Sequence, residues 1–171
     1  IEDGWKYDFS LHPPWERLWL QKRHELAGAL SQAWVRHRGL SWYGIISDGV
    51  RPVTQGRDRL LVSACDNRNF VSCNDQWRQD RRMAGIVVVP GWILEAMGYW
   101  FPPGMVHLWT DNVWEELGRA LGNWVYAENV VCEDHHHSHP VNRTPFDHER
   151  NFNGVYFPPH DEARFKAWRN G

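Results

Sequence analysis

The chain alternates short apolar runs with segments of helical period, and this alternation restricts it to a layered α/β fold. Residues 40–46 and 83–89 are apolar runs that stop at Ser47 and Pro90. Short apolar runs bounded by turn-forming residues are typical of buried strands. We therefore predict one domain, residues 1–171, in which helices flank a mixed sheet. Because the first residue is Ile1, we expect an excerpted or processed chain.

Helices are predicted where apolar residues recur every three or four positions. Gly39, Gly98 and Gly122 follow three such segments, and glycine is a usual helix end. Thr110 or Asp111 is the predicted cap of the fourth helix. The predicted helices are residues 15–38, 58–65, 91–97, 111–121 and 161–168. Further strands are predicted at residues 69–73, 124–126 and 129–132, the last two at sheet edges, and residues 50–56 are predicted as a loop.

Net charge, the length of the apolar runs and the spacing of the cysteines argue against a nucleic-acid partner, a membrane span and a disulfide framework. The formal net charge is −2 and no Lys/Arg stripe is present, so nucleic acid is not an expected partner. The apolar run at residues 86–89 is too short to cross a bilayer, and the N-terminus lacks the order of a signal peptide. Three widely spaced cysteines fit a reducing compartment better than a disulfide framework. We expect a cytoplasmic protein.

Tryptophan is unusually frequent, with twelve in the chain. Large aromatic side chains fill protein cores and need only one partner for the indole N–H. The same flat rings can instead stack on the C–H face of a sugar. Both interpretations stay open from composition alone.

Two aspartates are candidates for chemistry because of their positions. Asp48 directly follows the predicted strand at residues 40–46, where open α/β sheets place ligand-binding residues. The alternative is that Asp48 and Gly49 form a simple turn. Asp111 stands at the start of a predicted helix, where it would act either as a cap or as a general base for a hydroxyl group.

Residues 133–140 contain the densest group of potential metal ligands. Alternate residues of an extended segment face the same side, so Glu133, His135, His137 and His139 would share one face. Imidazole and carboxylate groups together suit Mn²⁺, Zn²⁺ or Fe²⁺, although the spacing matches no zinc signature. The alternative is a solvated loop rich in histidine.

Three segments, in order, resemble small phage and bacterial glycosyltransferases of the GT-A fold. The first is the strand and aspartate-containing turn at residues 43–52, and the most specific is the block at residues 98–122. The third is the Glu/His block at residues 133–137, followed by Asp147. The resemblance covers about residues 15–168 and implies a GT-A-like, Rossmann-related α/β fold.

The resemblance implies an inverting transfer from a nucleoside-diphosphate sugar to a hydroxyl acceptor. A divalent cation, Mn²⁺ or Mg²⁺, would bridge the diphosphate, with Asp48 and a histidine from His135 or His137 as its ligands. Asp111 would be the catalytic base. Residues expected to bind the donor or acceptor are Arg51, Trp100, His107, Trp109, Asn112 and Trp114, with Glu133 and Asp147 in support. In a phage-encoded enzyme the compartment would be the host cytoplasm.

The chain also departs from the family pattern. Gly49 stands where the family has its second adjacent acidic residue, and only about forty residues precede Asp48, where the family has an N-terminal part that holds the nucleotide base. Two other functions therefore stay open. One is a metallohydrolase using Asp48, His135, His137 and Asp147, and the other is an inactive, Trp-rich module that binds glycans or another partner.

Overall fold

The computed structural model describes residues 26–46, 50–74, 86–106, 109–134 and 160–171. In these residues the strands are β1 (Trp42–Ile46), β2 (Val50–Pro52), β3 (Phe70–Asn74), β4 (Ile86–Pro90) and β5 (Trp124–Asp134). The helices are α1 (Leu26–Arg36), α2 (Arg57–Cys65), α3 (Gly91–Met97), α4 (Thr110–Ala120) and α5 (His160–Asn170). No helix in these ranges has the length and apolar character needed to cross a membrane.

The five strands form one mixed sheet in the order β1-β4-β3-β5-β2. Strand β4 is antiparallel to β1 and β3, β3 is parallel to β5, and β5 is antiparallel to β2. Strands β1, β3 and β5 therefore run in one direction. Their last residues, Ile46, Asn74 and Asp134, define what we call the carboxyl end of the sheet. The predicted mixed α/β architecture is confirmed.

Helices cover both faces of the sheet because its central strands are apolar on both sides. In β4, Val87 and Val89 pack with residues of α1, α3 and α4, whereas Ile86 and Val88 pack with Leu61 of α2. Alternate residues of a strand face opposite sides, so α2 lies on one face of the sheet and α1, α3 and α4 lie on the other. We call the second of these the α4 face.

The strand predicted at residues 40–46 is present as β1, but the prediction that it is buried is wrong. In the described part of the chain, β1 pairs only with β4 and lies at the edge of the sheet. Tyr43 is buried on the α4 face, but Trp42 and Ile46 are 44% and 52% exposed. The apolar run does not distinguish an edge strand with one covered face from a strand that is covered on both faces.

The two edge strands predicted at residues 124–126 and 129–132 are one continuous strand, β5, which lies between β3 and β2. The register shifts from Cys73 paired with Ala127 to Asn74 paired with Val131. This irregularity accommodates Glu128 and Asn129, the exposed polar residues that interrupt the apolar pattern. The predicted loop at residues 50–56 contains β2, which completes the sheet beside β5.

The helices predicted at residues 58–65, 91–97, 111–121 and 161–168 are confirmed to within two residues at each end. Helix α1 ends before Gly39 and α3 ends before Gly98, and both glycines have positive φ. The predicted cap of α4 is wrong. Trp109 precedes the helix with a φ of 64° and makes no side-chain cap hydrogen bond, so Thr110 and Asp111 lie in the first turn. Residues 15–25 of the first predicted helix lie outside the described residues.

Gly91 joins the sheet to α3 at a point of close backbone approach. Its amide donates a 2.8 Å hydrogen bond to the carbonyl of Ser41. A Cβ atom added at Gly91 would lie 1.8 Å from the backbone oxygen of Leu40. Because the obstructing atom belongs to the backbone, the contact has no flexible side chain to yield.

We expect Gly91→Ala to lower the free energy of unfolding by at least about 2 kcal/mol, since β1 and α3 must separate to admit the methyl group. Gly44→Ala is the matched control, because its added Cβ would meet Val88 Cγ2 at 3.5 Å and the Val87 backbone oxygen at 3.8 Å, both ordinary van der Waals distances. That control should change stability by less than about 0.5 kcal/mol. Urea denaturation measures both, and equal losses would contradict the proposed close contact.

Candidate functional site

Strands β2 and β5 bring two predicted site residues together at the carboxyl end of the sheet. Arg51 and Glu133 are cross-strand partners, as are Val50 and Asp134. Arg51 is exposed and Glu133 is partly buried. Directly opposite residues of an antiparallel pair have neighbouring side chains on one face, so a cation and a carboxylate are adjacent here.

Strand alternation shows which face Arg51 and Glu133 occupy. Val130 and Cys132 of β5 pack in the core on the α2 side, together with Val50 of β2. Glu133 and Arg51 alternate with these residues and therefore lie on the opposite face, the α4 face. Helix α4, which carries Asp111, covers part of that same face.

Side-chain and backbone hydrogen bonds fix β2 to β5 although β2 has only three residues. The amide of Val131 donates to Thr54 Oγ1 at 2.8 Å. The amides of Val53 and Thr54 both donate to the carbonyl of Val131 at 3.1 Å. The position of Arg51 relative to Glu133 is therefore set by the backbone and not by a loop conformation.

Five predicted site residues lie outside the described residues: the metal ligands Asp48, His135 and His137, the substrate-binding His107 and the supporting Asp147. Their predicted roles stay predictions. The described residues next to two of these segments are Val50 and Asp134, which are paired with each other. Among described residues, no group of three or more His, Cys, Asp or Glu side chains is arranged to hold a metal ion.

Asp111 lies in the first turn of α4 and is partly buried. Its Oδ1 accepts a 3.0 Å hydrogen bond from the amide of Asn112. The C-terminal half of α4 is anchored at Gly118, where an added Cβ would lie 2.9 Å from Phe70 and Trp124. Asp111 is seven residues from Gly118, which is about 10 Å along a helix axis.

The rings of Trp100 and Trp114 lie in the core. They are 3% and 0% exposed, and their centroids are 5.3 Å apart in an edge-to-face arrangement. Tyr43, Phe70 and Phe101 complete this aromatic cluster. The geometry supports the packing interpretation for both tryptophans, since neither ring has a surface that a sugar could cover.

Trp109 differs from these two tryptophans because it is only partly buried. Its ring stacks on Phe165 of α5 with centroids 5.4 Å apart and an interplanar angle of 22°. Its positive φ is unusual for a large side chain and requires support from its surroundings. Of the three predicted site tryptophans, Trp109 is the one that keeps part of its surface accessible, and it precedes Asp111 by two residues.

Sequence reasoning missed two groups near these elements. Asp161, which appeared only as the start of a helix, is 0% exposed, and its Oδ1 accepts a 3.0 Å hydrogen bond from the amide of Val106. The cysteines, widely spaced in the chain, are all buried in the core between α2 and the sheet. A hydrogen bond from Cys73 lowers the pKa of the Cys132 thiol, whereas burial raises the pKa of Cys65.

A cavity of about 400 Å³ on α1, lined by Ser31, Gln32, Val35 and Arg36, contains none of the predicted site residues. Comparison of the chain with models of protein families, with curated proteins and with solved structures gave no match.

We expect Trp114→Ala to lower the free energy of unfolding by about 3–5 kcal/mol, because it empties a fully buried site in the aromatic cluster. Trp92→Ala is the control, since Trp92 is 43% exposed and its indole N–H donates one hydrogen bond to the Asn67 carbonyl. That change should cost about 1 kcal/mol. Chemical denaturation compares the two, and a Trp114 effect as small as the Trp92 effect would contradict the core assignment.

Proposed function

We propose that the chain is a metal-dependent glycosyltransferase with a GT-A-like fold, which moves a sugar from a nucleoside-diphosphate donor to a hydroxyl acceptor. The observation that supports this most directly is the common face of Arg51, Glu133 and α4. A transferase needs a donor side and an acceptor side that open onto one space. In this proposal the β2–β5 strand pair forms the donor side, and the start of α4 forms the acceptor side.

The donor side is proposed at the carboxyl end of the sheet. Chain connectivity keeps Asp48 two residues from Val50 and His135 one residue from Asp134, and Val50 and Asp134 are paired. Consecutive Cα atoms are about 3.8 Å apart, so the two segments start from neighbouring positions. Arg51, exposed on the α4 face, is the proposed contact for the diphosphate.

The metal ligands proposed at this end of the sheet suit a hard to borderline divalent cation. Carboxylates of Asp48 and Glu133 and the imidazoles of His135 or His137 are ligand types that Mn²⁺ accepts, and a Mg²⁺ site would use mainly the carboxylates. Bound there, the cation would neutralise charge on the departing nucleoside diphosphate. Asp147 is the proposed supporting residue.

The acceptor side is proposed at the start of α4. Asp111 is the general base that would take the proton of the attacking hydroxyl group, and the amide of Asn112 holds its Oδ1 in place. Trp109, with part of its ring accessible, and His107 would line the acceptor pocket. Trp100 and Trp114 would act from beneath, since their packing holds α4 against the sheet.

Ligand-dependent stabilisation tests the proposal. With Mn²⁺ plus UDP, GDP or CDP at about one hundred times its Kd, the melting temperature should rise by about 5–10 °C, because only the folded state binds the complex. Scanning fluorimetry with each nucleotide, each metal and each pair measures the rise. Stabilisation by metal alone with phosphoester cleavage would indicate a hydrolase, and a response to glycans alone would indicate a binding module. Either result would overturn the proposal.

We expect Asp111→Asn to reduce sugar transfer at least a hundredfold, since an amide cannot accept the hydroxyl proton. Its Mn²⁺–nucleotide stabilisation should be unchanged. Asp58→Asn is the matched control, because Asp58 is likewise the second residue of a helix and is exposed. Radiolabelled sugar transfer measures both variants. Full turnover by Asp111→Asn would eliminate the base role.

We expect Asp48→Asn to weaken Mn²⁺-dependent nucleotide binding at least tenfold, because a neutral amide is a poorer ligand than a carboxylate. Calorimetric titration with and without Mn²⁺ measures the change, again with Asp58→Asn as control. Equal affinities in the presence of Mn²⁺ would remove Asp48 from the proposed ligand set.

A further inference from the structure

Helix α5 contacts both described ends of the segment that leads into α4. At one end, the fully buried Asp161 accepts the hydrogen bond from the amide of Val106, 55 residues earlier in the chain. At the other end, Phe165 stacks on Trp109. Val106 precedes Asp111 by five residues and Trp109 precedes it by two, so α5 holds the chain on both sides just before the proposed base.

Further residues of α5 contact α4 or the residues that precede it. Phe165 packs in a small core with Met105 and Val113, the latter on α4. An added Cβ at Gly104 would lie 3.1 Å from the guanidinium carbon of Arg164. Arg169 lies 3.5 Å from a carboxylate oxygen of Glu116. Residues 104–105 and the first turns of α4 are therefore packed against one helix.

The conformation of Trp109 requires such support. A non-glycine residue in the left-handed region costs about 1–2 kcal/mol and persists only where its surroundings stabilise it. Trp109 has a φ of 64° and no side-chain cap hydrogen bond at the start of α4. The stack on Phe165 supports Trp109 directly. Val106 is held at both backbone groups, since its amide donates to Asp161 and its carbonyl accepts a 3.1 Å hydrogen bond from the amide of Ala27.

Resting on the proposed function, we propose that Asp161 is a positioning residue for the acceptor side. Its carboxyl group holds the Val106 amide, and together with the stack of Phe165 on Trp109 it orients the first turn of α4, which carries Asp111. A residue with this role affects the acceptor step and leaves donor binding unchanged. A buried group that only stabilises the fold would affect both alike or neither.

Three variants test the proposal. Asp161→Ala removes the acceptor of the Val106 hydrogen bond, and Asp161→Asn retains an acceptor oxygen. Glu162→Ala is the control, because Glu162 is the next residue of α5, is 50% exposed and forms a 2.6 Å ion pair with Lys166 on the surface of the same helix. Hydrogen exchange at residues 99–106 and 110–113, acceptor kcat/KM and Mn²⁺–nucleotide stabilisation are measured for each.

For Asp161→Ala we expect exchange in both segments to accelerate roughly tenfold and acceptor kcat/KM to fall roughly tenfold, the effect of losing one charge-assisted hydrogen bond. The nucleotide-dependent rise in melting temperature should be unchanged. Asp161→Asn should restore most of both effects, and Glu162→Ala should match the wild type. Should Asp161→Ala fail to fold, Phe165→Leu, which removes the ring stack but keeps apolar volume, should produce the same pattern.

Two results would overturn the positioning role: unchanged exchange at residues 110–113, or accelerated exchange with unchanged acceptor kcat/KM. If the wild type transfers no sugar from any donor, the proposed function fails by itself. The exchange measurements then decide the structural half of the inference, since coupling from Asp161 to the first turn of α4 needs no turnover to be observed.

Discussion

The pairing of β5 with two neighbours is the constraint on which the rest of the structure depends. Its first residues pair in parallel with β3, and its last residues pair antiparallel with β2. The register shift opposite Cys73 and Asn74 joins these two halves. Through this one strand, the amino end of the sheet, where Gly118 of α4 packs on Trp124, is connected rigidly to the carboxyl end, where Arg51 faces Glu133. A strand of eleven residues thus sets the spacing between the two proposed halves of the site.

The aromatic cluster fixes the position of α4 on the sheet. Gly118 leaves no space between α4, Phe70 and Trp124, and Trp114 on the same helix packs into a cluster of aromatic rings. Close-packed interiors transmit displacement with little loss. The high tryptophan content is therefore explained in part by packing under α4, which is why composition alone did not distinguish core residues from a sugar-binding surface. Trp109, outside this cluster, is held instead by α5.

The parts of the fold that were predictable are those that depend on local pattern. Glycines after α1 and α3 and the apolar run in β4 indicated element type because positive φ and hydrophobic periodicity are properties of a few neighbouring residues. The errors concern pairing across long separations. The residues around Val50 do not indicate its pairing with Asp134, and those around Asp161 do not indicate its hydrogen bond to Val106. Likewise, the residues around Glu128 do not indicate that β5 continues beyond them through a register shift. The candidate site is affected most, because the pairing of Arg51 with Glu133 and the contacts of α5 before α4 are of this long-range kind.

Gly49 stands where the family that the chain resembles has a second acidic residue, so in the proposed site another carboxylate would have to supply that charge. Glu133 lies in the part of β5 that pairs with β2, and it is on the α4 face opposite Arg51. A carboxylate held by backbone pairing loses little conformational freedom when it binds a ligand, whereas one in a loop must first be ordered. In the proposed transferase, Glu133 would be the described carboxylate that supplies part of the charge of the missing ligand. Because Arg51 lies opposite Glu133, that contribution would depend on Arg51 turning to a phosphate group. Donor binding and the charge at the proposed cation site would then be coupled through this cross-strand pair.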